Sequence, residues 1–456
     1  MHGKRMRKHL FVFSLFVQIV VLLPNSCAQE NPVAQVPASN ERVSSQFFGM
    51  HLNIDSDPWP TGQVPGSDRM WNAWGAQRIK VNTARDVYDW TAFDKFLAGA
   101  KAAGIDDVLY TLSDTPDWAS QRGSRCKGPG NPDYTCTGPA DTVCGIHGAC
   151  YTNVDLKDDG TGTDKTWKDW VTAVATHANS LDPTKYAHIR AWEIWNEFFR
   201  TRHFPHETNN FSWLGSYNQL IRMARDARKI IKAIDPSALI ATPSSTVGRP
   251  GSEILANFLY CNQHPLTKCT LGSAGSQTID IVCDHAYETD GKPERLGWAF
   301  KNLKGYLSAT DKKKPLWISE GGWGLDRKYP DPALQVGFIA RWRTILLSNG
   351  VARSYWYGYD FPGSGTLWNK ESGKLTAAGV AEQQLQKWFV GQTFGGCTTE
   401  KTVWACTVGQ NLMVWNSAGN STYLTNFKRY ADLAGDTHFV QRGKVAIGLQ
   451  PILLSQ

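Results

Sequence analysis

Eight apolar, strand-like runs alternate with helical patterns along this chain, and that repetition limits the fold more than any other feature. The runs are FFGMHLN (47–53), AQRIKVN (76–82), DVLYTL (107–112), IRAWEIWN (189–196), ALIATP (238–243), IDIVCDHAY (279–287), PLWISE (315–320) and RSYWYGY (353–359). Between them, Phe93, Phe96, Leu97 and Ala100 keep a helical period, as do Trp167, Trp170, Val171 and Val174. Over 331–348, Asp331 is placed to cap a helix and Pro332 suits its first turn. Leu334, Phe338, Trp342 and Ile345 line one face, and Asn349 with Gly350 ends it. Parallel strands need crossover helices, so eight such units predict an α/β chain folded as a (β/α)8 TIM barrel. A doubly wound open sheet competes, but no GxGxxG follows an early strand.

From about Gly391 the pattern changes. TVWACTV, NLMVWNS, STYLTNF and VAIGLQPILL are short strand-like runs separated by Gly, Asn and Asp turns, with no helical stretch between them. They predict a small C-terminal antiparallel, β-sandwich-like domain packed on the barrel. The beginning differs again. Lys4, Arg5, Arg7 and Lys8 precede an apolar run over 10–23, and Ser26, Cys27 and Ala28 supply small residues for cleavage, the pattern of a secretory signal. The expected organisation is a signal peptide over 1–28, a catalytic barrel over 29–390 and an all-β domain over 391–456, in a secreted or periplasmic protein.

The formal charge of +7 overstates the basicity of such a chain. Removing residues 1–28 takes away four basic residues and no acidic one, so 44 basic residues face 41 acidic ones and the balance is +3. No basic block remains to mark a nucleic-acid partner, and no other apolar run is long enough to cross a membrane. Of ten cysteines, nine follow Cys27. The close pairs Cys126/Cys136, Cys144/Cys150, Cys261/Cys269 and Cys397/Cys406 suggest local disulfides in an oxidising compartment. Connectivity among the four in 126–150 stays open, with a metal site involving His147 as the rival there. Cys283, in an apolar run, reads as a buried thiol. Residues 120–165, rich in Gly and Cys, read as a long loop after the third strand, of the kind that shapes a barrel's site.

Catalytic side chains of such barrels come from the C-terminal ends of strands. Glu197 closes the fourth run and Glu320 the seventh, positions that face each other across the barrel mouth. A buried carboxylate is costly unless it is paired or used. Two opposed carboxylates, one protonated and one ionised, are what glycoside hydrolysis requires.

The residues also resemble a known group. WEIWNE, ending in Asn196-Glu197, is similar to the acid/base motif of clan A glycoside hydrolases, and WISEGG to their nucleophile strand. FFGMHL, YDW at 88–90, TPDWAS at 115–120 and the terminal PILL resemble secreted bacterial members of family thirty-nine, which includes β-xylosidases, α-L-iduronidases and exopolysaccharide endoglycosidases. The resemblance implies a retaining double displacement on β-linked poly- or oligosaccharides, with no metal or organic cofactor. It implies Glu197 as acid/base, Glu320 as nucleophile and Asn196 as the group that binds the substrate 2-hydroxyl. Arg78, on the second run, resembles the arginine that keeps the nucleophile ionised in this clan.

Other candidates follow from position. His285 and Tyr287 alternate with Cys283 on the sixth run and point with it into the barrel, Tyr287 within reach of the nucleophile. Glu193 lies four residues before Glu197, on the same interior face but deeper, and reads as structural, paired with Arg78. Two positions depart from the family pattern: Phe198-Phe199 stand where members often have proline, and Lys80, two residues after Arg78, where they often carry tryptophan. Lys80 would face the same side as Arg78, either toward an acidic sugar or in a salt bridge. Among nineteen tryptophans, those at helical spacing read as core. Trp356 is the favoured sugar contact. Trp118 and Trp323 each stand between sugar contact and core, and His51 between a sugar hydroxyl and a structural role. Arg200, Arg202 and His203 read as solvated loop charges, with an anionic substrate as the rival. The competing functions are a non-catalytic polysaccharide-binding protein on a glycosidase scaffold and a transglycosylase.

Overall fold

The computed structural model describes residues 42–52, 59–60, 65–71, 75–121, 151–198, 213–261, 275–323, 332–361 and 366–456. The expected signal peptide, the cysteines of 126–150, the Asp331 cap and the 200–203 charges lie outside these residues.

Eight parallel strands form one sheet: β1 (Phe48–His51), β2 (Ser67–Met70), β3 (Asp107–Thr111), β4 (His188–Glu193), β5 (Leu239–Ala241), β6 (Val282–Tyr287), β7 (Leu316–Gly322) and β8 (Val351–Tyr357). Their order is β5-β4-β3-β2-β1-β8-β7-β6. Parallel bridges Ala241–Ile281 and Thr246–His285 draw β5 toward β6, so the barrel is nearly closed. Helices α1 (Arg78–Val81), α2 (Thr91–Ala102), α3 (Lys165–Ser180), α4 (Tyr217–Ile234), α5 (Arg249–Tyr260), α6 (Leu296–Tyr306), α7 (Pro332–Ser348) and α8 (Ala377–Phe389) flank it. Leu109, Ala191, Ala241, Ile281, Cys283, Trp317 and Tyr355 fill the interior as a cluster separate from the larger core between strands and helices. Gly49 is required there. A Cβ on it would stand 2.6 Å from the Tyr355 ring and 2.8 Å from the Ser354 carbonyl, so β1 lets the large ring cross the barrel axis.

The second strand is not where the apolar pattern places it. Residues 76–82 hold the one-turn helix α1, while β2 is Ser-Asp-Arg-Met at 67–70, fully buried despite three polar residues. The reason is local. Ala76 and Val81 turn to the core and Lys80 to solvent, a helical rather than alternating distribution. In β2 two of the three polar residues, Ser67 and Arg69, meet partners inside the barrel. Ser67 Oγ donates to the Gln46 carbonyl at 2.9 Å, and Arg69 meets carboxylates.

The C-terminal strands are short and antiparallel, as expected. After the hairpin β9 (Trp368–Asn369) and β10 (Lys374–Leu375) come β11 (Phe394–Glu400), β12 (Val403–Val408), β13 (Asn411–Asn416), β14 (Ser421–Leu424), β15 (Arg429–Ala431), β16 (Thr437–Phe439), β17 (Lys444–Ile447) and β18 (Ile452–Ser455). Six of them form a sheet in the order β11-β12-β13-β18-β15-β16, and β14 pairs with β17. Cys397 and Cys406 face each other across β11 and β12 and are disulfide-bonded. Cys261 is also disulfide-bonded, its expected partner Cys269 lying outside the described residues, and Cys283 is a free buried thiol. Barrel and sheet belong to one compact unit. Helix α7 lies between them and is buried nearly all round, which explains why its apolar residues are not confined to one stripe. No helix among the described residues is long and apolar enough to cross a membrane.

Candidate active site

Arg69 organises the pocket. Its Nε and Nη2 donate to Glu193 Oε2 at 3.0 and 2.6 Å, Nη2 also to Asn196 Oδ1 at 2.6 Å, and Nη1 to Glu320 Oε2 at 2.8 Å. Strand alternation explains the geometry: Arg69 pairs in register with Leu109, which projects into the barrel interior. Glu193, fully buried at the end of β4, also accepts from Thr111 Oγ1 at 2.6 Å and Ser319 Oγ at 2.7 Å. Burial alone would raise its pKa, but Arg69 and these donors outweigh burial and hold it below the ordinary carboxylate range.

Beyond β4 the chain turns sharply. Glu197 has φ of +46°, a left-handed conformation uncommon outside glycine and frequent at functional sites. Residues after β5 hold this turn in place. The Ser244 amide donates to the Trp195 carbonyl at 2.9 Å, and the Phe198 amide to the Ser244 carbonyl at 3.2 Å. Glu197 thereby aims its carboxylate at β6, where its Oε1 lies 3.0 Å from His285 Nδ1, and about a fifth of the side chain stays exposed (22 %).

Glu320, nearly buried (3 %), receives Arg69 on Oε2 and the Tyr287 hydroxyl on Oε1. His285 Nδ1 stands 3.9 Å from that same oxygen. Donor atoms of Glu197, His285 and Glu320 all lie within 4.8 Å of one another. Burial would lower the His285 pKa; the charges of Glu320 and Glu197 outweigh it and raise the group toward its protonated form. Burial, then Glu320, pushes the Tyr287 phenol well up, so it stays a donor. Two carboxylates and an imidazole are a donor set a divalent cation could approach. Here Glu320 already serves Arg69 and Tyr287, and His285 is biased toward a form with no lone pair, so the set is arranged for protons rather than for a metal.

The structure brings together Glu197, Glu320, Asn196, His285 and Tyr287. It does not bring Arg78 to them. Arg78 is buried outside the barrel, donating to Asn153 Oδ1 at 3.0 Å and the Thr166 carbonyl at 3.3 Å, between the rings of Trp167 and Trp170. The arginine that contacts Glu320 is Arg69, and Glu193 pairs with Arg69 rather than Arg78. Lys80 is solvent-exposed on α1, away from Arg78, because residues two apart on a helix do not share a face. A signal for Arg69 existed. The tryptophan that family members often carry two residues after their arginine is present as Trp71, which sits 5.3 Å from the Arg69 guanidinium and donates Nε1–H to Ser113 Oγ at 2.9 Å.

The aromatic expectations are corrected in part. Trp356 is fully buried and points away from the interior, its ring edge-on to Trp342 at 5.3 Å and Phe338 at 6.1 Å. Alternation on β8 gives the inward positions to Tyr355 and Tyr357 instead. Trp323 packs on Phe338 at 4.9 Å and is 7 % exposed, a core position. Trp118 is half-buried, donating to the Asn82 carbonyl at 2.9 Å beneath Arg85, with no contact among the described residues to the carboxylates. His51 is buried at the end of β1, edge-on to Tyr357 at 4.7 Å and Trp71 at 6.0 Å, so it underlies the pocket's aromatic wall. Trp71 and Tyr357 are pocket aromatics that sequence reasoning missed.

No family profile matches the chain, and no curated protein matches it. Solved structures do. A family 39 glycoside hydrolase from Bacteroides cellulosilyticus WH2 superposes with a TM-score of 0.58 at 14% identity, over 86% of this chain and 75% of that one. A GH30 endoxylanase from Clostridium papyrosolvens C71 gives 0.52 at 11% identity, over 92% and 98%. Cel44A, a GH family 44 endoglucanase from Clostridium thermocellum, gives 0.51 at 13% identity, over 92% and 98%. At these identities the likeness establishes the fold, the barrel of clan A glycoside hydrolases.

Proposed function

We propose that this barrel is a secreted retaining glycoside hydrolase acting on β-linked poly- or oligosaccharides, with Glu320 as nucleophile and Glu197 as acid/base. The observation that carries this is the approach of one Glu197 oxygen to one Glu320 oxygen within 4.8 Å. Retaining pairs stand ~5–5.5 Å apart, whereas inverting pairs need ~6.5–9.5 Å to admit a water. The likeness to glycoside hydrolases of three families adds to it.

The neighbours fit the roles. Arg69 and Tyr287 both donate to Glu320, one to each carboxylate oxygen, and fix its orientation. Glu197, more exposed than Glu320, has one oxygen 3.0 Å from His285 Nδ1 and about a fifth of its side chain open to solvent. In the first half-reaction Glu320 attacks the anomeric carbon as the bond to the leaving oxygen breaks, and Glu197 gives that oxygen its proton. In the second, Glu197 takes a proton from water, the water oxygen bonds to the anomeric carbon, and Glu320 leaves as carboxylate. Asn196, adjacent to Glu197 and held by Arg69, is placed to bind the 2-hydroxyl. Trp71 offers a half-exposed ring to a sugar face beside them.

The test is the anomer first released from a β-linked substrate, followed by NMR. Retention with Glu320→Gln inactive but folded supports the assignment; inversion, or a Glu320→Gln variant at the wild-type rate, rejects it. Glu197→Ala should lose unactivated substrates while azide restores turnover of activated aryl glycosides.

A further inference from the structure

The segment that follows Tyr287 is held from outside the barrel. Its first amide, on Glu288, donates to the Gly322 carbonyl at 3.1 Å, which joins the ends of β6 and β7 immediately above Tyr287 and Glu320. Three residues on, Gly291 has φ of +71° and lies against the indole of Trp323, where a Cβ would stand 2.9 Å from the ring. Arg341 of α7 donates Nη2–H to the Gly291 carbonyl at 3.1 Å and Nη1–H to both oxygens of Glu294 at 2.9 and 3.0 Å. Glu294 in turn accepts from Nε1 of Trp415 at 2.8 Å. Trp415 belongs to β13 of the C-terminal sheet, is fully buried, and stacks on Trp404 at 5.4 Å.

These contacts form one chain of rigid groups. The sheet holds Trp415, Trp415 and Arg341 hold Glu294, and Arg341 also holds Gly291, on which Trp323 rests. One end of that chain lies in the C-terminal sheet; the other, at Gly291 and Trp323, follows the two strands that carry Tyr287 and Glu320. Glu294 is the only carboxylate with a described hydrogen bond to Arg341, so its loss leaves the arginine tied to the segment through the Gly291 carbonyl alone and cuts the segment from Trp415.

We propose that Glu294 is a positioning residue through which the C-terminal sheet fixes the 288–295 segment and thereby holds the Tyr287 hydroxyl on Glu320. This rests on the glycosidase reading for its consequence but not for its mechanics. Glu294→Ala tests it, with Glu294→Gln as the rescue and Trp415→Phe, which removes only the N–H, as an independent cut at the same joint.

Two readouts separate the outcomes. Hydrogen–deuterium exchange of the full chain should show amides of 288–295 exchanging about tenfold faster in Glu294→Ala, less so in Glu294→Gln, with β2, β3 and β4 unchanged. On an aryl glycoside that the wild type hydrolyses, kcat/KM of Glu294→Ala should fall about tenfold, the cost of one or two lost charge-assisted hydrogen bonds. The loss should fall on kcat, with KM within about twofold of the wild type, since the segment positions a donor on Glu320. Unchanged exchange in 288–295 overturns the coupling, as does faster exchange throughout the barrel, which marks a merely structural loss. Local exchange with an unchanged kcat overturns the link to Tyr287. A wild type inactive on every glycoside rejects the glycosidase reading, while exchange still decides the coupling.

Discussion

Arg69 Nη1 lies 2.8 Å from Glu320 Oε2 while Nη2 of the same guanidinium lies 2.6 Å from Glu193 Oε2. One cation therefore serves a carboxylate assigned to chemistry and a deeper one that is structural. Only a planar fork can reach both at hydrogen-bonding distance.

Removing that cation should cost both stability and turnover. Arg69→Met leaves Glu193 buried without its charge partner, an arrangement that costs about 3–5 kcal/mol. Chemical denaturation should show that loss, and it should shrink in the double variant with Glu193→Gln. Arg69→Lys keeps the charge but not the fork, and is expected to fold while losing at least about a hundredfold in kcat, the order found when a preorganised donor is removed.

Two tryptophans should respond in opposite ways. Trp71 is half-exposed above Arg69, so Trp71→Ala is expected to raise KM several-fold while the melting temperature changes little. Trp356 is packed between Trp342 and Phe338, so Trp356→Ala should cost about 3–5 kcal/mol of stability through the cavity it leaves. Equal melting temperatures for the two variants would contradict these placements.

The imidazole of His285 reports the charges around it. Glu320 and Glu197 raise its pKa against burial. An NMR titration of the ring should show its midpoint fall in Glu320→Gln relative to the wild type, with a further fall when Glu197 is also changed to Gln. An unmoved midpoint would mean that the ring does not sense the pair.

A pH effect on stability is expected far from the pocket. Asp164 is buried before α3 at φ of +47°, and the Thr166 amide that it would ordinarily cap donates to Asp155 instead. Burial, then Asp226 and Asp155, push the Asp164 carboxyl up to about 8. The folded chain therefore binds a proton that the unfolded chain releases at any pH between the ordinary carboxylate range and about 8, and stability from this group drains as pH rises across that window. Asparagine tolerates the left-handed backbone and carries no charge. Asp164→Asn should thus melt increasingly above the wild type from pH 5 to pH 9; a constant difference would refute the assignment.

Much of this was legible in residues 189–197 and 315–320. Apolar runs with strand-like composition, each ended by an acid, mark parallel strands whose C-terminal ends face a pocket, and the helical periods between them leave few alternatives to a barrel. What the sequence determined by itself was therefore the repeated unit, the two carboxylates and the change to antiparallel strands after Gly391, because these depend on periods and turn residues that act locally. The tertiary structure decided which arginine meets Glu320, which aromatic faces the pocket and what the C-terminal sheet holds. Strand β2 is short and polar, and the burial of its Arg69 is compensated by carboxylates on β4 and β7, far away in sequence. Such compensation is pairwise and long-range, so an apolar pattern pointed to 76–82, while the barrel's charge balance places its arginine at 69.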